Sequence, residues 1–312
     1  MSTTDELVER ALAGDRVATA KLLSRVEQGG AGAREVVSRL HPHTGNAWSV
    51  GITGAPGAGK STLTDALVAC MRADGLEIGV LAVDPSSPFS GGAILGDRVR
   101  MQRHSTDPGV FIRSMASRGH LGGLAVATPQ SIRVLDAVGK SWVVVETVGV
   151  GQVEVEIASQ ADTTLVVVNP GWGDEVQAAK AGLLEIADIF VVNKADRAGV
   201  DATVSDLAAM LDLSGGGGWK PPIVRTVATT GEGVDELWAE IGRHRASLEQ
   251  NGAIAQRRRE RLAAELRALV VEQLLARSGD VASGARFDAL VADVASRTTD
   301  PYSAVDELLA DS

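Results

Sequence analysis

The chain has 312 residues, 45% hydrophobic and 22% charged, a globular mixture that excludes a disordered chain. Its 30 basic and 40 acidic side chains leave a net charge of −10, which argues against a chain-wide nucleic-acid footprint. A single cysteine, Cys70, excludes a disulfide framework or a cysteine-based zinc site within one chain. Aromatic residues make up only 3%, so the core has to come from Ala, Val, Leu and Ile. The opening MSTTDELVER is too polar and acidic for a signal peptide, and no apolar run approaches the roughly 20 residues of a membrane span. The expectation is a cytoplasmic protein with no membrane partner and no nucleic-acid partner.

Residues 1–44 read as an N-terminal helical extension. Leu7, Val8, Leu12, Leu22, Leu23 and Val26 recur at helical intervals, Gly29-Gly30 interrupts them, and a second short helix covers 33–40 before Pro42. From 45 to 250 the texture changes. Short apolar runs at 48–53, 78–83, 142–146, 163–168, 188–193 and 222–227 are rich in β-branched residues, and most are separated by helix-length stretches. Runs that are apolar throughout predict strands buried on both faces, as in a parallel sheet. The alternation predicts an α/β domain with a doubly wound, mostly parallel sheet.

Residues 251–312 read as a C-terminal helical extension. One long amphipathic helix covers 254–277, with Leu262, Leu266, Leu269, Val270 and Leu274 on one side. A second helix carries Phe287, Leu290, Val291 and Val294. Asp300-Pro301 supplies the cap and first-turn proline of a last helix with Val305, Leu308 and Leu309. This extension is too thin to hold a core alone, so it packs on the α/β domain or on another subunit. The basic run 257–261 reads as a solvated helix face, and His41-Pro42-His43 as a surface turn.

The strongest motif is Gly54-Ala55-Pro56-Gly57-Ala58-Gly59-Lys60-Ser61, a full G-x-x-x-x-G-K-[ST] phosphate loop, or Walker A motif. A predicted strand runs into it and an amphipathic helix with Leu63, Leu67 and Val68 leaves it. The glycines let backbone N–H groups turn inward around phosphates, and the helix adds its positive end. Lys60 then reaches the β- and γ-phosphates, Ser61 binds Mg²⁺, and Thr62 adds an α-phosphate contact. The fold is therefore of the P-loop NTPase type.

Asn193-Lys194-Ala195-Asp196 closes the 188–193 run and matches the N-K-x-D guanine signature. A carboxylate accepts two hydrogen bonds at once from the ring N–H and exocyclic amine of guanine, and adenine offers no such pair on that edge. Asp196 takes this role, Lys194 lays its stem over the base, and Asn193 holds the loop. Ala228-Thr229-Thr230, after the 222–227 run, resembles the loop that backs the base in such enzymes.

Asp84 ends the second run and Glu146 ends the run from Trp142, in the Walker B position. Acids at strand ends beside a phosphate loop hold Mg²⁺ directly or through water, or else serve as caps and solvated loop carboxylates. Asp97 is a third metal candidate, and Gly149 can offer its N–H to the γ-phosphate. The water handler is open. Val150 stands directly after Gly149, and Gln152, two residues later, is either that handler or an exposed residue at a helix start. Slow hydrolysis, completed by a moving loop or a partner, is the expectation.

The phosphate and guanine motifs together with Val83-Asp84-Pro85-Ser86-Ser87, the stretches 91–97 and 113–119, and Glu146-Thr147-Val148-Gly149-Val150-Gly151-Gln152 resemble the methylmalonyl-CoA mutase-associated GTPases. This is the MeaB/ArgK group of the metallochaperone-type P-loop GTPases, and the resemblance runs over nearly the whole chain. It implies GTP and GDP binding with Mg²⁺, slow GTP hydrolysis, and association with adenosylcobalamin-dependent methylmalonyl-CoA mutase. There the protein protects the mutase and gates cofactor loading and removal of damaged cofactor. It also implies a homodimer through the C-terminal helices. Asp84, Asp97 and Glu146 then lie in the metal and switch neighbourhood, and residues 169–180 resemble an additional switch with Lys180 as a catalytic or signalling residue. The alternatives are a metal-insertion GTPase of the same class, a P-loop small-molecule kinase, and a non-enzymatic helical adaptor. The first needs Cys and His ligands, and the chain has one Cys and five scattered His. The second has no use for the guanine signature.

Overall fold

The computed structural model describes residues 3–84, 102–116, 123–147, 160–171, 185–213, 218–278 and 283–310. Three helices open the chain: α1 (Thr4–Leu12), α2 (Arg16–Gln28) and α3 (Gly30–Leu40). Thr3 and Glu6 form a reciprocal capping box at the start of α1. Asp15 caps α2, accepting from the amides of Val17 and Ala18 at 2.8 and 3.0 Å. Hydrophobic spacing reads residues 7–26 as one helical stretch; Gly14, at φ 92°, ends the first helix and the Asp15 cap starts the second. Gly29, at φ 72°, makes the second break. His41–His43 form an exposed 3-10 turn, as the sequence suggests.

The α/β region follows as β1 (Trp48–Gly54), α4 (Lys60–Ala73), β2 (Ile78–Asp84), β3 (Val110–Ala116), α5 (Gly123–Ala137), β4 (Trp142–Thr147), β5 (Thr163–Val168), β6 (Ile189–Asn193), α6 (Val200–Leu213), β7 (Ile223–Thr226) and α7 (Val234–Gln250). The sheet has 7 strands in the order β3-β2-β4-β1-β5-β6-β7, and every pairing is parallel. One of these was not among the predicted runs. Strand β3 carries Arg113 and Ser114 inside VFIRSMA, which breaks the apolar pattern. It is an edge strand, and Arg113 leaves the sheet to bond Glu27 and Ser24 of α2.

The pleat sorts the valines. Trp142 and Val144 of β4 join a core with Leu63, Leu67 and Met71 of α4 and Leu237 and Ile241 of α7. Val143 and Val145 face a second core with Leu22, Leu23 and Val26 of α2 and Val134 and Leu135 of α5. Burial on both faces is what a central parallel strand requires. The N-terminal helices therefore form part of one covering layer. Asp136, at the end of α5, accepts from the amides of Asn46 and Ala47 at 3.2 and 2.9 Å and also from Gly45, and so fixes the chain's entry into β1.

Helix α8 (Ala253–Ser278) follows α7, and its first turns belong to the compact unit Met1–Glu260. Here the solvated reading of 257–261 needs correction. Arg257 forks onto Asp188 at 2.7 and 3.1 Å, and Arg258 onto Asp162 at 2.8 and 3.1 Å. Asp188 and Asp162 are only 4% and 2% exposed, so both pairs stand at the edge of the interior. Burial raises the Asp188 carboxyl, but the facing His244 imidazole and the Arg257 guanidinium outweigh it and leave the group below the usual carboxylate range. His244 Nε2 stands 3.2 Å from Asp188 Oδ1.

The second unit, Arg261–Ser312, contains the rest of α8 with α9 (Ala285–Ala295) and α10 (Pro301–Ala310). Asp300 caps α10 through the amides of Tyr302 and Ser303. Leu262, Leu266, Val270 and Leu274 of α8 are 45–63% exposed. Their spacing of four places them in one stripe. Among the described residues no helix is long and apolar enough to cross a membrane.

The packing of α2 yields a stability prediction. Leu22 is fully buried, whereas Leu12 is 36% exposed. Leu22→Ala lowers the unfolding free energy by about 2–5 kcal/mol, and Leu12→Ala by about 0.5 kcal/mol or less, as read by urea denaturation. Equal effects would mean that the N-terminal helices do not share the sheet's core.

Candidate nucleotide-binding site

The sheet order changes direction at β1, which lies between β4 and β5 while its chain continues to β2. Ligands of open α/β sheets bind beyond the carboxyl ends of strands at such a point. The phosphate loop, 55–59, leaves β1 there. Gly54, Gly57 and Gly59 take φ of 132°, 69° and 89°, which L side chains rarely adopt. A Cβ at Gly54 would stand 1.9 Å from the Val167 carbonyl oxygen, and one at Gly59 2.5 Å from Asn193 Nδ2. Two of the motif glycines are thus required by close approach as well as by conformation.

The loop is held chiefly through its carbonyls. Lys60 Nζ donates to the carbonyls of Gly54 and Ala55 at 2.7 and 3.1 Å. Lys194 Nζ donates to Gly57 O at 2.7 Å, and Asn193 Nδ2 to Ala58 O at 2.8 Å. The Ala55 amide donates to Val167 O of β5 at 3.1 Å. Helix α4 begins directly after Gly59 with no side-chain cap on its first amides. Uncapped amides at a helix start, together with the helix dipole, suit a phosphate group. Thr62, in the first turn, is exposed.

Asn193 ties the phosphate and guanine motifs together. It is 2% exposed at the end of β6. Its Oδ1 accepts from Thr226 Oγ1 and from the Ala228 amide, both at 3.1 Å, while its Nδ2 reaches the phosphate loop. The Thr226 carbonyl accepts from the Ala195 amide at 3.0 Å. Lys194 sits at φ 60°, and Asp196 is exposed with no bond or ion pair to any described residue. Ala228 is buried, and Thr229 and Thr230 are exposed on the turn after β7. Thr226 was not predicted. The signal available for it was a hydroxyl at the last position of the strand preceding Ala228.

Glu146 lies in β4 beside Ile52 of β1 and is 2% exposed. Its Oε1 accepts from Ser61 Oγ. A hydroxyl and a carboxylate side by side form the hard-oxygen donor set that Mg²⁺ prefers. Among the described residues no group of three or more His, Cys, Asp or Glu side chains could hold a metal ion. Asp84 is the last residue of β2, and its side chain lies outside the described portion. Asp97, Gly149, Gln152 and Lys180 lie outside the described residues.

The family profile described as Methylmalonyl Co-A mutase-associated GTPase MeaB matches residues 19–282. A Pyrococcus horikoshii chain named "Putative GTPase" is 54% identical over 99% of this chain and 98% of its own length. GTPase ArgK of Escherichia coli is 34% identical over 88% of this chain and 86% of its own length. The solved structure of a LAO/AO transport system kinase superposes with a TM-score of 0.73 at 28% identity, covering 98% of this chain and 96% of that one. The chain belongs to the methylmalonyl-CoA mutase-associated GTPases, the MeaB family, and is a GTPase.

Proposed function

We propose that the chain hydrolyses GTP slowly with Mg²⁺ and uses the nucleotide to switch its grip on an adenosylcobalamin-dependent methylmalonyl-CoA mutase in the cytoplasm. On the mutase it gates cofactor loading, protects the loaded enzyme and clears damaged cofactor. The observation that supports the nucleotide part is the double grip of Asn193, which joins phosphate loop and base loop through one side chain. A site built in this way reads both ends of one ligand. The partner reading rests on family membership, together with a Mus musculus relative named Methylmalonic aciduria type A homolog, mitochondrial, 36% identical over 67% of this chain and 52% of its own length.

In this reading Asp196 accepts two hydrogen bonds from guanine, Lys194 covers the base, and Ala228, Thr229 and Thr230 back it. Residues 54–59 with Lys60 and Thr62 cradle the phosphates, and Lys60 balances charge on the β- and γ-phosphates. Ser61 and Glu146, with Asp84 and Asp97, hold Mg²⁺, which when bound neutralises phosphate charge. Gly149 donates its amide to the γ-phosphate. Gln152 and Lys180 complete the handling of water. A water oxygen bonds to the γ-phosphorus, the bond to the bridging oxygen breaks, and GDP leaves with inorganic phosphate. The exposed stripe on α8 supports a homodimer through the C-terminal helices.

Two variants test the site. Asp196→Asn lowers GTP affinity by about 100-fold or more and favours xanthosine triphosphate, because xanthine carries a carbonyl where guanine carries the amine. Unchanged guanine preference in competition binding removes the base assignment. Lys60→Ala costs nucleotide binding about 1.5–3 kcal/mol and abolishes turnover. Retained phosphate release in that variant would falsify the phosphate-loop assignment. The partner is tested by pull-down of methylmalonyl-CoA mutase with GDP, with a non-hydrolysable GTP analogue and with no nucleotide. Capture that differs among the three is the expected result, and no capture in any arm overturns the partner reading.

A further inference from the structure

The start of α8 holds the sheet at the edge opposite the phosphate loop. Arg258 takes Asp162, and its remaining donors reach the carbonyls of Ala47 at 2.9 Å and Gly45 at 3.3 Å. Arg257 takes Asp188 and also reaches the Asp162 carbonyl at 3.2 Å. Each carboxylate also bonds the backbone of its sheet neighbour. Asp162 Oδ2 accepts the Ser49 amide at 3.0 Å, and Asp188 Oδ2 accepts the Thr164 amide at 2.8 Å. The arginines therefore grip groups that themselves fix the strand starts.

Asp162 directly precedes β5, and Asp188 directly precedes β6. These are the two strands that touch the phosphate loop at their far ends. Val167 of β5 receives the Ala55 amide, and Asn193 of β6 holds the Ala58 carbonyl. One clamp on α8 thus meets both supports of the loop. Its partners are nearly fully buried, and its forks are bidentate, the arrangement in which breaking one side leaves a buried charge. Arg259, next in sequence, is exposed.

We propose that Arg257 and Arg258 couple the first turns of α8 to the nucleotide loops, so that nucleotide occupancy changes the clamp and the clamp changes nucleotide affinity. The two directions are one coupling free energy and must be equal for binding. The proposal rests on the guanine-nucleotide reading above. Helix α8 itself continues beyond Glu260 into the second unit.

The test uses the full chain and fluorescent GDP and GTP analogues. Arg257→Ala/Arg258→Ala changes the dissociation constant of at least one nucleotide by about fivefold or more, while Arg259→Ala stays within about twofold. In the unaltered chain, hydrogen exchange of amides 253–260 differs with and without GDP. Arg257→Lys/Arg258→Lys keeps both charges but not the forks, and is expected to show a smaller shift in the same direction. It carries the comparison if the alanine variant does not fold. A folded double variant that binds both nucleotides as the unaltered chain does, or amides 253–260 indifferent to GDP, overturns the coupling and leaves the clamp a structural staple. Failure of the unaltered chain to bind any guanine nucleotide overturns the guanine reading itself, and the coupling with it.

Discussion

A loop that is to offer its amides to a ligand cannot spend most of them on holding itself together. That constraint governs the site. The phosphate loop is gripped largely by its carbonyls instead, with Lys60, Lys194 and Asn193 as donors; of its amides, that of Ala55 goes to a neighbouring strand and that of Ala58 turns back to the Ala55 carbonyl. Lys60 grips from within the motif, while Val167 of β5 and Asn193 and Lys194 at the end of β6 reach the loop from more than a hundred residues away, so this shape depends on the assembled sheet. The all-parallel order follows from the same need. It brings β5 and β6 to one side of β1 and Glu146 of β4 to the other, with all carboxyl ends at one edge.

Asn193 shows how one side chain can make the phosphate-loop motif and the N-K-x-D motif a unit. Its amide has a donor end and an acceptor end, and the surroundings assign them. Thr226 and the Ala228 amide donate, so Oδ1 faces them, and Nδ2 is left for Ala58 O. Thr226 thereby sets the orientation of a group that the nucleotide need never touch. Lys194 completes the arrangement in a left-handed conformation that its tie to Gly57 O helps to offset.

The parts legible in sequence are those whose chemistry is local. The phosphate loop needs its glycines, lysine and serine at fixed spacing, and the guanine signature needs its four residues in a row, so both can be read directly. Central strands are legible because burial on both faces demands unbroken apolar runs. Strand β3 escaped because an edge strand tolerates Arg113, whose partners Glu27 and Ser24 are distant in sequence. The Arg257 and Arg258 clamp escaped for the same reason: its partners stand 69 and 96 residues away, and a run of arginines looks alike whether solvated or paired. The division of α1 from α2 turned on a left-handed Gly14 that ends the first helix and on Asp15, which caps the second, and periodicity weighs neither.

The aromatic residues have a consequence for spectroscopy. Trp48 and Trp142 open β1 and β4, Trp238 meets Trp142 edge to face with centroids 4.8 Å apart, and Trp219 donates to the Asp188 carbonyl. Arg245 lies over both Trp48 and Trp142. The described indoles thus gather at the amino ends of the strands, a strand's length of roughly 20 Å from the phosphate loop. The ultraviolet emission of these four described indoles is a built-in gauge of the floor of the sheet.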